Sequence, residues 1–541
     1  MAPPAISTII NNSGASDTSD ANATKLTASI LPLEAGLLRK LEAPLADLPG
    51  IARAFEVVYH DLALTAPDQF LPTPVRALPT GEEKGRFLAL DLGGTNLRVA
   101  VVWLCGGDGL KVCAQGSWSI PEHFKSGAAE VLFRWVADRI GDVVREYLAD
   151  VGSEERKRIL FEGMELGITF SFPMEVSTDG VERNVRQTTH DSALLMPMGK
   201  GFTFTTTNDL SSLLKTAYND LLLTTTPPAY PLLKLDIVSI SNDSISTLLS
   251  AAYLHHSTEN TRTAAGIIAG TGTNATCLCP VSKLPAPKQP TSGPSTDAIL
   301  LNTEWSIRGT APPLKPYTTT WDVQLDLENE KPGFQPFEEM VGGRYLGELV
   351  RLVSLDLLSS DVPKSQLPEK MRLRYGLDTR LCSEVEASVN DDEALSLLRD
   401  YFGPYTSSTT PAATTAEDPK EWKWDLSSAA SFRRISTAVS TRAAALVAAA
   451  TIGVLGVNDE LKRHAEKEVL VCYTGTVLEK YPTFRERCEG FMMEVVERWV
   501  VEGRIPPAPS GKRRVVRLVE AKDGGIVGAA VLAGMVKEGR T

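Results

Sequence analysis

Two segments of the chain share a glycine-rich turn that ends in Gly-Thr-Asn. In the first, the apolar run 87–92 breaks at Gly93-Gly94-Thr95-Asn96 and resumes over 97–104. In the second, 265–269 breaks at Gly270-Thr271-Gly272-Thr273-Asn274 and resumes over 275–278. Glycine permits positive φ and close backbone approach, so the N–H groups of such a turn, with a threonine hydroxyl, can hold phosphate oxygens. A plain β-turn would explain either copy alone. The same ending in both halves of the chain points instead to a nucleotide clamp built from two hairpins. Between them an alternating strand, 235–241, ends in Asn242-Asp243 just before a helical stretch over 246–254. Asp243 is there either a helix cap or a general base, the carboxylate that accepts the hydroxyl proton when a phosphoryl group passes to an alcohol.

The elements that must position these residues alternate strand and helix, which predicts an α/β architecture. A helical stretch is expected over 33–63, giving way to strand near Gly81-Glu82-Glu83-Lys84-Gly85. Residues 1–31 are rich in Ser, Thr, Asn and Ala and poor in large apolar side chains, a composition that predicts disorder. The polar and Pro-rich stretches 282–297 and 406–418 read as surface insertions. Other nucleotide and hydrolase signatures are missing. No Gly-x-x-x-x-Gly-Lys-Ser/Thr loop, Gly-x-Ser-x-Gly elbow or His-Arg-Asp loop occurs, and Gly270-x-Gly272 lacks the following helix of a Rossmann fingerprint.

The 541 residues carry 55 Lys+Arg against 67 Asp+Glu, a net charge of −12. This acidic balance argues against bulk nucleic-acid binding, which needs clustered basic surface, but not against a phosphate site made of backbone N–H groups. A content of 43% hydrophobic and 23% charged residues is ordinary globular usage and excludes a disordered, collagenous or membrane-embedded class. Seven cysteines, an odd number, make no disulfide framework, and Cys277-Leu278-Cys279 lacks the second pair of a zinc site. The longest apolar run, 443–457, has 15 residues. It falls short of the ~18–20 that span a bilayer and is expected to be a buried Ala-rich helix. No positive region precedes an apolar core near residue 1, so a cytoplasmic location is expected.

Further motifs follow in order: Leu166-Gly167-Ile168-Thr169-Phe170-Ser171-Phe172-Pro173, then Asn302-Thr303-Glu304-Trp305, then Pro332-Gly333-Phe334-Gln335-Pro336-Phe337-Glu338, then Gly343-Arg344-Tyr345-Leu346-Gly347-Glu348. Together with Leu90-Asp91-Leu92-Gly93-Gly94-Thr95-Asn96-Leu97-Arg98-Val99, Asn242-Asp243 and the 270–275 turn, this ordered set resembles the eukaryotic hexokinase family over residues 35–535. The resemblance implies an α/β, two-lobed, actin-like (ribonuclease H-like) fold with the active site in the interlobe cleft. It also implies transfer of a phosphoryl group from ATP, with Mg2+, to the 6-hydroxyl of a hexose. By the same resemblance Asp243 is the catalytic base, and Ser171, Lys200, Asn242, Asn274, Glu304 and Glu338 bond the sugar hydroxyls. Asp91 would meet the Mg2+ ion through water, and Gly93, Gly94, Thr95, Asn96, Gly270, Thr271, Gly272 and Thr273 would line the phosphates. Gly475, Thr476 and Gly524 fall on the adenosine side. Arg98 serves either phosphate charge or an ordinary surface ion pair. Taken singly, Glu304 beside Trp305 could be a satisfied carboxylate, Glu338-Glu339 a solvated acidic pair, and Lys200 an exposed loop residue. The implied division sets residues 32–252, with a small lobe over about 82–240, against 253–541, whose large lobe also takes in 32–81.

Three departures from the family pattern bear on the substrates. Trp-Thr-Lys-Gly-Phe stands here as Met198-Gly199-Lys200-Gly201-Phe202, which removes bulk and a hydroxyl beside the sugar and leaves room for a larger substituent. With Leu195-Met196-Pro197 ahead of it, this segment resembles the fungal hexokinase-type N-acetylglucosamine kinases, so N-acetylglucosamine is the expected acceptor, with a glucose, fructose or mannose kinase as the alternative. On the adenosine side, Asp-Gly-Ser/Thr becomes Thr474-Gly475-Thr476, and Asp-Gly-Ser-Gly-x-Gly becomes Asp523-Gly524-Gly525-Ile526-Val527-Gly528. These losses keep a catalytically weak, sugar-sensing regulator in view. No motif speaks to oligomeric state.

Overall fold

In the strand Lys84–Leu92 every residue from Phe87 onward is buried, the pattern of a strand covered on both faces. Its side chains alternate between two cores. Leu88, Leu90 and Leu92 join the helices Ala129–Asp150 and Leu210–Thr224 on one side. Phe87 and Ala89 join the helices Asp243–Leu254 and Gly524–Lys537 on the other. The computed structural model describes residues 32–170, 174–175, 194–195, 203–204, 209–224, 232–290, 297–403 and 422–540. Lys84–Leu92 is the centre of a five-stranded sheet ordered Leu235–Ser241, Met164–Phe170, Lys84–Leu92, Asn96–Cys105, Leu110–Ser119. The first two strands run parallel to the centre, and the hairpin strands are antiparallel.

The second Gly-Thr-Asn turn lies in a sheet of the same plan. Val516–Glu520, Glu468–Thr474, Thr261–Ala269, Thr273–Pro280 and Ala298–Asn302 repeat the order and the strand senses. A two-residue edge strand, Leu71–Pro72, is added beyond Ala298–Asn302. In each sheet the glycine turn follows the central strand. The repetition visible in two short turns is therefore a duplication of a five-strand unit, and the fold is the two-lobed actin-like α/β fold.

The helix Leu426–Val457 runs through the large lobe against Leu48–Thr65 and Phe484–Val501. Among the described residues it is the one helix long and apolar enough to cross a bilayer, and its 443–457 stretch is buried throughout, as the sequence suggested. At its centre the fully buried Arg442 guanidinium forks onto both oxygens of Asp322, at 2.8 Å each. Burial alone would raise the Asp322 pKa, and the Arg442 charge and hydrogen bonds together with those from Thr319 more than offset it, so the carboxyl titrates below its ordinary range.

Three placements differ from the sequence reading. The helix expected over 33–63 is broken: a helix over 32–42 gives way to a 3-10 turn, Ala43–Asp47, and then to Leu48–Thr65. Pro44 and Pro49 impose the break, each sitting in a first turn where its missing N–H costs nothing. The described half of the 282–297 stretch is no loose surface insertion. It forms the turns Val281–Lys283 and Ala286–Lys288, and buried Lys288 donates to the carbonyls of Leu62 (3.0 Å), Gln69 (2.9 Å) and Phe70 (3.4 Å). Finally, the helix Gly524–Lys537 was grouped with the large lobe but packs across the small sheet, where the backbones of Gly167 and Ala529 meet directly. Residues 1–31 and 406–418 lie outside the described residues.

Candidate active site

Asn242 is the N-cap of the helix Asp243–Leu254. Its Oδ1 accepts from the backbone N–H of Ser244 (2.9 Å) and Ile245 (3.2 Å) and from the Ser244 hydroxyl (2.7 Å). The capping role weighed for Asp243 thus belongs to its neighbour. Asp243 is the first helical residue, half-buried, and its carboxylate has no hydrogen-bond partner among the described residues. Hydroxyls tie this helix to both sheets. Ser244 Oγ lies 2.6 Å from Thr276 Oγ1 of the large sheet. Ser246 Oγ lies 2.6 Å from Thr169 Oγ1 and 2.8 Å from Ser241 Oγ of the small one. Asp243 is held where the two lobes meet.

One chain of polar groups extends from the cap. Ser244 Oγ reaches Asn302 Oδ1 at 3.5 Å, and Asn274 Nδ2 donates to the same oxygen at 2.8 Å. Asn274 Nδ2 and Asn302 Nδ2 both donate to Glu304 Oε1, at 3.3 and 2.7 Å. Glu338, on the short helix Pro336–Val341, accepts from the Thr273 N–H (2.9 Å) and from Gln335 Nε2 (3.2 Å). Amides that both donate and accept, with carboxylates that accept, suit a ligand rich in hydroxyls. Gly272 packs directly on the Glu338 carboxylate, so the second glycine turn and the hydroxyl-binding cluster abut. Trp305 is fully buried, and its indole N–H donates to Thr273 Oγ1 at 3.0 Å, anchoring that turn from behind.

Glu339 is not half of a solvated acidic pair. It is buried and accepts from Asn329 Nδ2 at 2.6 Å. Burial, reinforced by Asp326 and Glu338, outweighs the Asn329 bond and pushes its pKa up to about 7. A carboxyl whose pKa is raised on folding holds more protons in the folded state, so stability falls as pH rises from about 4.5 toward about 7. The Tm of the wild type is expected to drop across this window relative to Glu339→Gln, which keeps a neutral partner for Asn329. Parallel Tm–pH curves for the two proteins would refute this.

On the other side, Asp91 Oδ2 receives Arg98 at 2.5 Å, and Arg98 also reaches Asp523 at 3.4 Å. The ion pair considered for Arg98 is therefore present, and its partner is itself a candidate site residue. The turns are closed by Gly93 N–H to Asn96 O and Gly270 N–H to Gly272 O, each 2.9 Å, leaving Thr95, Asn96 and Thr271 exposed. Gly475, at φ 112°, packs on the backbone of Ala269 and Gly270, with Thr476 exposed beside it. Gly524 packs on Thr247 of the Asp243 helix. A Cβ at Gly525 would overlap the Asp91 carboxylate, so the missing serine side chain leaves the room that Asp91 fills.

The structure thus gathers Asn242, Asp243, Asn274, Glu304 and Glu338 into one cluster with the 270–273 turn, and joins Asp91 and Arg98 to the start of the last helix. Ser171 and Lys200 lie outside the described residues. Asn302 and Gln335, which the motifs contain without a stated role, and Ser244 and Thr276, which no motif marks, also belong to this network. For Asn302 a signal existed: it stands in the Asn302-Thr303-Glu304-Trp305 motif, two residues before Glu304.

Models of the hexokinase family match residues 35–253 and 264–535. The hexokinase of Kluyveromyces lactis is 30% identical over 469 residues, covering 86% of this chain and 83% of that protein. The glucokinase of Aspergillus niger is 28% identical over 537 residues, covering 94% and 97%. The solved structure of the Schistosoma mansoni hexokinase complexed with glucose is similar with a TM-score of 0.69 and 26% identity, over 94% of this chain and 99% of that one. With both halves matched by models of the family and a relative 30% identical over 86% of the chain, the chain belongs to the hexokinase family and is a sugar kinase of the hexokinase type, a phosphotransferase acting on a hexose.

Proposed function

We propose that this protein transfers the γ-phosphoryl group of ATP to the 6-hydroxyl of a hexose, with Asp243 as the base. The observation that carries this reading is the division of labour at the helix start: Asn242 does the capping, and Asp243 keeps an uncommitted carboxylate beside a cluster of sugar-suited groups. In the transfer, the O6–H proton passes to Asp243 as the new O6–P bond forms and the bond from Pγ to the β,γ-bridging oxygen breaks, releasing ADP. Asn274, Asn302, Glu304 and Glu338 would orient the ring so that the 6-hydroxyl faces the phosphate. Among the described residues no group of three His, Cys, Asp or Glu side chains could hold a metal ion by itself. Mg2+ would arrive as part of the nucleotide, with Asp91 meeting it through water. Bound there, the ion neutralises charge on the phosphate oxygens.

The preferred acceptor we propose is N-acetylglucosamine. Met198-Gly199 in place of Trp-Thr supports it, by removing bulk and a hydroxyl from the segment that the family resemblance sets near the sugar, which leaves room for a larger substituent. The relatives named above are hexokinases and a glucokinase, so this preference rests on residues 195–202 alone. A coupled assay with ATP over glucose, fructose, mannose and N-acetylglucosamine is expected to give the highest kcat/KM for N-acetylglucosamine. Equal turnover of glucose, or no turnover of N-acetylglucosamine, removes the preference. A chain inactive on all four sugars, yet raised in Tm by one of them, would be a sugar-binding regulator instead.

A further inference from the structure

The structure assigns to Gln69 the role of a positioning residue for Glu304, and through it for the sugar. The inference rests on the reading of Glu304 as a sugar-binding carboxylate. Glu304 is one of six described non-glycine residues at positive φ (46°). A left-handed backbone at a residue with a Cβ costs free energy and persists only where its surroundings enforce it. The enforcing contact is the Gln69 amide, whose Nε2 donates to the Glu304 carbonyl at 2.9 Å. Gln69 is 1% exposed, so the donor of this bond is buried. Without that donor, water would have to solvate the carbonyl or the backbone would have to turn.

The opposing segment is strained in the same way. Phe70 has φ 50°, and its N–H donates to the Thr303 carbonyl at 3.1 Å. Two left-handed residues thus face each other across two adjacent bonds, Phe70 to Thr303 and Gln69 to Glu304. Behind them, the Lys288 ammonium takes the Gln69 and Phe70 carbonyls together with the last turn of Leu48–Thr65. The Gln69 amide is held by two further contacts. Its Nε2 reaches Thr310 Oγ1 at 3.4 Å, and its Oε1 lies where a Cβ on Gly309 would be. Glu304 accordingly enters the site already bent toward Asn274 and Asn302, at a conformational cost met by Gln69, and the sugar does not have to impose it.

Gln69→Met keeps length and burial but removes the donor. It is expected to raise the Kd of the preferred sugar about tenfold, with N-acetylglucosamine and glucose titrated separately by calorimetry, while the KM for ATP stays unchanged. The same substitution in a Glu304→Gln background should change the Kd less than about twofold, because the group being positioned is already altered. A packing defect alone would lower Tm without that non-additivity. If Glu304→Gln itself leaves sugar binding unchanged, the reading of the site fails. If Glu304→Gln weakens binding and Gln69→Met does not, or if the two effects simply add, the positioning role fails and the site stands. Should Gln69→Met fold poorly, Gly309→Ala displaces the same amide without removing it and gives the same readout.

Discussion

Asp243→Ala is expected to lower kcat by about 10²–10⁴, the range of a positioned general base, with the fold and sugar binding retained. The physical reason is the separation of duties at the helix start. An aspartate that capped the helix would take stability with it on removal, commonly ~1 kcal/mol. Here Asn242 makes the capping bonds, and the Asp243 carboxylate makes none among the described residues. What remains to lose is its interaction with the helix N-terminus, about 0.3–1 kcal/mol at a partly exposed site. Asn242→Ala should give the opposite profile, with a lowered Tm and an intact base. Turnover is read with ATP and the best acceptor from the four-sugar panel, and folding from Tm and from the sugar Kd. Near-wild-type turnover in Asp243→Ala would sink the base assignment. Loss of folding would make the carboxylate structural.

The parts of this site that could be read from the sequence are those whose meaning is local. A Gly-Thr-Asn turn after an apolar run is contiguous, so its two copies stand out in a linear string, and the sheet duplication follows from them. Asp243 could be located but not interpreted, because an aspartate ahead of a helix serves as a cap or as a base with equal plausibility. The bonds made by Asn242 give the cap to the neighbour, which leaves Asp243 available for the base role proposed above. Glu338 and Glu339 show the same limit. Neighbours on a helix point about 100° apart, so one carboxylate meets the Thr273 N–H while the other turns into the core beside Asn329. Thr276 and Ser244 carry no local signal, because their roles are contacts between a strand and a helix far apart in the chain. The packing of the last helix on the small sheet is hidden for a related reason. Nearly every residue of Gly524–Lys537 is buried, so no polar stripe marks which sheet it covers.

Gly475→Ala is expected to separate the two substrates. Kcat/KM for ATP should fall at least about a hundredfold, the scale of a misplaced reacting group, while the sugar Kd changes less than about threefold. Gly475 sits at φ 112°, where an alanine carries strain of about 1–3 kcal/mol. Its new Cβ would overlap the Ala269 carbonyl and stand 2.8 Å from the Gly270 nitrogen. Both are backbone atoms, so no side-chain rotation relieves the overlap and the 270–272 turn must move. That turn is closed by Gly270 N–H to Gly272 O and held from outside by the Gly343 N–H on Gly270 O at 2.7 Å, so a shift at Gly270 displaces the whole loop. The sugar cluster is buffered from it, because Asn274, Asn302 and Glu304 bond one another and lean on the Asp243 helix through Ser244. The Thr273 N–H on Glu338, beside the contact of Gly272 with the same carboxylate and the Trp305 indole on Thr273 Oγ1, couples the halves and sets how much of the disturbance reaches the sugar. An unchanged KM for ATP in a folded Gly475→Ala protein would remove the second turn from the nucleotide site. A sugar Kd rising in step with the KM for ATP would mean that the Glu338 link, and not the turn alone, carries the effect.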